Sequence, residues 1–216
     1  NSSRQNDMAT CHYVLACPDN GSYHQEMRKL AGMHSILLAL LLPLTLGWSS
    51  GTWADQTDPR LDELFVHLQD VDSPPQARAV EQLIWGVWLE SKSPTLKLLM
   101  GRVVSAMGQQ KLEAALEILH SVVAIAPDYA EGWNKRATVY FLLGQYEASM
   151  RDVERTLALE PRHFGALSGL GLIYTYLKDN AAALDAYERA LKVNPHLPQA
   201  RAEVKRLRRK VKGENI

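Results

Sequence analysis

Three prolines, Pro127, Pro161 and Pro195, stand 34 residues apart. Each closes an apolar run with helical spacing: LHSVVAIAP, VERTLALEP and YERALKVNP. Internal repetition at such a period restricts a chain more than its composition does, because each unit is too small to bury its own apolar face and must stack on its neighbours. Superimposing residues 96–129, 130–163 and 164–197 sets Trp133 on Leu99 and Leu167, Ala137 on Val103 and Gly171, Tyr140 on Ala106 and Tyr174, Ser149 on Ala115 and Ala183, and Leu157 on Val123 and Leu191. Small residues recur where large ones would keep two helices apart. Gly144 falls in a break between two helical runs, where a left-handed backbone is often needed. Proline ends each unit because it cannot continue a helix.

These positions resemble the tetratricopeptide repeat (TPR), whose pattern runs W-x2-L-G-x2-Y, then A-x3-F, then P. Residues 164–197 follow it at Leu167, Leu170, Gly171, Tyr174, Ala183, Tyr187, Ala190 and Pro195. Residues 130–163 follow it at Trp133, Ala137, Tyr140, Gly144, Tyr146 and Pro161 but depart at Arg136, Ser149, Val153 and Thr156. Residues 96–129 are the most degenerate, keeping Ala115, Leu119 and Pro127, with Val103 where a small residue is expected. The resemblance implies an all-α fold, a TPR solenoid of antiparallel helix pairs wound into a right-handed superhelix. It also implies a non-enzymatic scaffold whose concave groove holds a peptide or partner segment.

In that family the first helix of each repeat lines the groove. Carried over position by position, the lining is Lys97, Met100, Val104 and Met107, then Glu131, Asn134, Thr138, Phe141 and Leu142, then Ser168, Leu172, Thr175 and Tyr176. Gly108 and Gly165 also fall there and offer little contact. The lining combines an amide, hydroxyls and apolar groups with few charges. A Lys/Asn/Arg clamp for a C-terminal carboxylate is not reproduced, since Met100, Val104 and Lys135 stand in its place. The expected ligand is an extended or helical protein segment with apolar anchors, with Asn134 bonding its backbone. The other reading of the solenoid is a structural subunit of a larger envelope-associated complex.

The flanks extend the helical pattern. Asp58-Pro59 opens one helix, with Leu61, Leu64, Phe65 and Leu68 on one face. Ser73-Pro74-Pro75 breaks the chain before a second helix carrying Val80, Leu83, Ile84, Val87 and Trp88. Residues 55–95 thus read as a degenerate helical pair or an N-terminal cap. Trp85 and Trp88 are expected to pack on the first repeat or, failing that, to offer a partner an exposed anchor. At the other end, residues 198–216 form a basic capping helix and tail: residues 199–216 hold seven Lys or Arg against two acids, in a chain of zero net charge. Ala200, Val204, Leu207 and Val211 make its apolar stripe. The cations suit a polar outer face at the end of a solenoid and a helix C-terminus; the alternative is an anionic lipid surface. Membrane contact is expected only through this helix, and the balanced net charge does not point to nucleic acid.

Residues 27–54 have the layout of a signal peptide: Arg28 and Lys29, an apolar run from Ile36 to Leu46, and the small residues Thr52 and Ala54 before a cleavage site. The run is too short to span a bilayer, which takes about 20 residues. The expectation is export, with a periplasmic mature chain beginning near Asp55. Residues 1–26 then read as a non-native or disordered leader. Cys11 and Cys17, with His12 and His24, fit zinc spacings poorly, and a disulfide or no structural role are the other readings. His67, His120, His163 and His196 are isolated in sequence. The glycines Gly165, Gly169 and Gly171 lack the spacing and the lysine of a phosphate loop. No catalytic, cofactor or metal residue is expected, and no small-molecule substrate.

Overall fold

Ser73-Pro74 and Ser93-Pro94 each start a helix in the same way. The serine Oγ accepts the backbone N–H three residues on, Gln76 N at 3.3 Å and Leu96 N at 3.3 Å. The proline behind it fills a first-turn position that has no need of an N–H. The computed structural model describes residues 58–91 and 93–213. The leader and signal segment expected over 1–54 lie outside them. Nine helices run through the described residues, with no strand among them: α1 (Arg60–Asp70), α2 (Pro74–Leu89), α3 (Pro94–Gly108), α4 (Leu112–Ile125), α5 (Ala130–Leu142), α6 (Tyr146–Leu159), α7 (Phe164–Tyr176), α8 (Asn180–Val193) and α9 (Pro198–Val211). The fold is all-α, a solenoid in which α3–α4, α5–α6 and α7–α8 are stacked antiparallel pairs.

Each pair turns back on itself through a left-handed residue at one register position. Gln110, Gly144 and Lys178, again 34 apart, have φ of 59°, 74° and 63°. The sequence marks this conformation only where glycine occupies it. The turns after α6 and α8 also share a device: Glu160 Oε1 accepts Arg162 N at 2.9 Å, and Asn194 Oδ1 accepts His196 N at 2.9 Å.

The small residues let the helices of a pair close. Ser149 Oγ donates to Ala137 O at 2.7 Å between α5 and α6, and Asp152 holds Arg136 at 2.7 and 2.8 Å. These bonds explain why Ser149 serves where the family prefers alanine. A β-carbon at Gly171 would lie 2.8–2.9 Å from three ring atoms of Tyr187, which is 2% exposed and wedged between α7 and α9. Gly171→Val is expected to lower stability by about 2–3 kcal/mol, because the ring and the helix behind it must both shift. Gly171→Ala loses less, since alanine returns about 1 kcal/mol of helix propensity. Urea denaturation of the two variants checks the ranking.

α9 closes the stack by burying Ala200, Val204 and Leu207 against Ala183 and Tyr187. Val211 does not continue this stripe as its spacing predicts: it is 51% exposed. Arg208 reaches back to Glu188 and Arg206 pairs with Glu203 on its own helix.

The two N-terminal helices pair with each other. α2 does not stack along α3 as a cap of the first repeat would; α1 and α2 fold back over the turns that follow α6 and α8. Arg162 Nη1 meets Asp62 at 2.6 Å. Gln69 Nε2 donates to Lys192 O and Val193 O at 3.2 and 2.7 Å. His196 Nε2 lies 3.1 Å from Leu68 O, and Asn194 Nδ2 donates to Glu81 at 2.8 Å.

Candidate functional site

The sequence-predicted groove residues separate into two regions. At the N-terminal ends of α5 and α7 the surface is closed. Glu131, Asn134, Thr138 and Ser168 are buried, at 4% exposure or less. Met100, Phe141 and Leu172 are buried as well: Met100 in the first repeat's core, and Phe141 and Leu172 in the core shared by the next two. None of these seven faces solvent in this state. Val104, Met107, Leu142 and Thr175 are half-buried, while Lys97 and Tyr176 are exposed. At the C-terminal ends of α5 and α7 the surface is open, and Phe141, Tyr146 and Tyr176 form an aromatic cluster with ring centroids 5.2–5.8 Å apart. Tyr176 and Leu177 present its apolar edge, 38% and 42% exposed. Thr138 and Thr175 spend their hydroxyls on the carbonyls of Asn134 and Gly171, one turn back.

The closed region is built around Glu131. Its carboxylate meets Lys135 Nζ at 2.9 Å, Asn134 Nδ2 at 2.9 Å and His163 Nε2 at 3.1 Å. Glu131 and His163 are 0% exposed and Lys135 is 2% exposed. His163 Nδ1 accepts the N–H of Ala166 at 3.1 Å, capping α7. The ring proton therefore sits on Nε2 and is donated to Glu131. Burial alone would raise the Glu131 pKa; the Lys135 ammonium, then the hydrogen bond from His163, outweigh it and lower the value to about 2. Asn134 Nδ2 is committed to Glu131.

Tryptophans roof this cluster. Trp88 stacks on the His163 ring at 4.1 Å and 7°, and Trp85 stands edge-on to both Trp88 and His163. Lys135 Nζ lies 5.6 Å from the Trp85 ring. Trp85 owes its place to Gly165, where a β-carbon would come within 2.7 Å of the indole. The two indoles thus pack on the junction of the second and third repeats, not on the first. Gly165, expected to offer little contact, is the seat of one of them. With both groups shielded, neither Glu131 nor His163 can meet a substrate while α2 stays docked.

Sequence reasoning missed His163, Lys135, Trp85 and Trp88 as one unit. A signal was present: His163 occupies the register position of Tyr129 and Leu197, a polar ring where the other repeats are apolar. The burial of Trp85 and Trp88 could not be assigned from periodicity, because it depends on α2 crossing to a turn far along the chain.

Paired antiparallel helices with a small residue at each close crossing and a left-handed turn every 34 residues define a helical-repeat solenoid. The tetratricopeptide repeat profile matches residues 165–197. A TPR repeat-containing protein of Rhizobium etli is 40% identical over 154 residues, covering 71% of this chain and 76% of that protein. The chain belongs to the tetratricopeptide repeat family. Among solved structures, the Sgt2 TPR domain from Aspergillus fumigatus shares the fold at 24% identity and a TM-score of 0.52, covering 56% of this chain and 81% of that domain. The first TPR of Spaghetti (RPAP3), bound to an HSP90 peptide, does so at 22% identity and a TM-score of 0.52, covering 54% of this chain and 92% of that domain.

Proposed function

We propose that this chain is a non-enzymatic adaptor that holds a segment of a partner protein on its concave face. The observation that carries the reading is the open edge of Tyr176 and Leu177, backed by Tyr146 and the buried Phe141. Clustered tyrosine rings offer a large contact area at small entropic cost, as partner-binding surfaces do. The peptide-bound RPAP3 domain supports the reading by its shared fold. Anchoring falls on Tyr176, Leu177 and Leu142, with Met107 and Val104 extending the surface, and not on the buried Glu131 and Asn134. We extend the proposal to export, on the strength of the residue 27–54 pattern.

A photo-crosslinking residue at Tyr176, compared with one at exposed Arg151 on α6, tests both parts in the native compartment. The adaptor reading predicts a dominant adduct from Tyr176 alone, whose intact mass places the mature start near Asp55. Equal adducts from both sites, or none, would favour a structural subunit. A mass retaining residues 27–54 would rule out the cleaved form.

A further inference from the structure

The closed end of the concave face is filled, and what fills it is informative. α2 lays two indoles, one helical turn apart, into a seat whose floor is Gly165 and whose wall is the His163 ring. The bottom of the seat is polar, although an interface serving only to hold a helix down is most simply apolar. The fit leaves two defects: Trp88 Nε1 and Asn134 Oδ1 are buried without a hydrogen-bond partner. An unmet donor and an unmet acceptor each weaken the docked state. The remaining ties are the apolar packing of α1–α2 on Phe164, Val193 and Leu197 and, at the rim, polar side-chain contacts such as Arg162 to Asp62 and Gln69 to the end of α8. Residues 90–93 alone join α2 to the repeats along the chain.

We infer that this seat is a docking site for an amphipathic helix bearing two tryptophans one turn apart, filled in cis by α2 and open to a partner helix of the same chemistry in trans. The inference deepens the adaptor reading and rests on it for the partner's existence. A partner helix able to donate to Asn134 Oδ1 and accept from Trp88's counterpart would fit better than α2 does. Gly165 is what makes the site selective: any side chain there removes the space an indole needs.

The probe is a labelled synthetic peptide of residues 58–91, titrated against full-length chains. Trp85→Ala/Trp88→Ala empties the seat and should bind the peptide at least tenfold more tightly than the wild type, whose seat is occupied. Adding Gly165→Val should abolish that binding. Asp62→Ala/Gln69→Ala, which loosens the rim in cis and leaves the seat whole, should also tighten peptide binding, because the peptide keeps its own Asp62 and Gln69. Retained amide protection in α7–α9 verifies that the repeats remain folded in every variant. Equal affinity for wild type and emptied chain, no binding to either, or binding that survives Gly165→Val would each overturn the docking site. The crosslink from Tyr176 reports separately. Peptide binding without a native adduct keeps the seat and removes the adaptor reading; a native adduct without peptide binding does the reverse.

Discussion

Glu131→Ala is expected to destabilise the chain by about 3–5 kcal/mol, the cost of leaving a buried ammonium without its partner. Lys135 lies under Trp85, 2% exposed, and cannot reach water without undocking α2. The substitution also strips Asn134 Nδ2 and His163 Nε2 of the acceptor they share. For a domain of this size the melting temperature should fall by about 10 °C or more. Glu131→Ala/Lys135→Met should recover a good part of the loss, because it removes the charge as well as its partner. A single-variant loss below about 1 kcal/mol would show that the cluster is solvated in solution.

The same carboxylate sets an acid limit. Its folded pKa of about 2 lies below the ordinary value of 4.5, so the folded state binds the proton less readily than the unfolded state. Its contribution is complete above the unfolded pKa and is lost as the pH falls from about 4.5 through 2. At about 1.4 kcal/mol per pH unit that displacement is worth about 3 kcal/mol. Urea midpoints for the wild type should therefore drop across this window, and the double variant should show a shallower drop.

The solenoid was legible because its determinants are local and periodic. Gly171 against Tyr187, Ala137 against Ser149 and the three prolines each repeat at one register, and each acts within a pair or on the next one. The groove was legible only in part, for a physical reason. Assigning lining residues by register assumes that the inner helices meet solvent. Here α2 covers the N-terminal ends of two of them, and the covering depends on an absent side chain at Gly165 and on a turn, His163-Phe164, about 80 residues from Trp85. The acid–base pair Glu131 and Lys135 has ordinary i, i+4 helix spacing, which reads as a solvated surface pair. What makes it a core element is the tertiary position of two indoles.

Trp88→Ala follows from that position, and its consequence is regional. Trp88 is 1% exposed and packs on Phe65, Trp85, His163 and Phe164, so its truncation removes the centre of the α1–α2 core. Truncating a buried tryptophan costs about 3–5 kcal/mol. The loss is borne unevenly, because in a repeat protein each unit is stabilised by itself and its immediate neighbours. α1–α2 touches the later repeats through their turns, whereas α7–α8 and α9 hold each other through Tyr187, Ala183 and Leu207. Once the cost exceeds the free energy that docks α1–α2, the pair detaches and the remaining repeats lose no more. Hydrogen exchange should then show amides of residues 60–89 exchanging at least a hundredfold faster, with those of α7–α9 changed less than threefold. At the same time the His163 ring protons should lose the ring-current shift that stacking on Trp88 gives them in the wild type. Uniform acceleration from α1 to α9 would instead mean that the pair and the repeats unfold as one cooperative unit, with the fold-back as integral as the stacking.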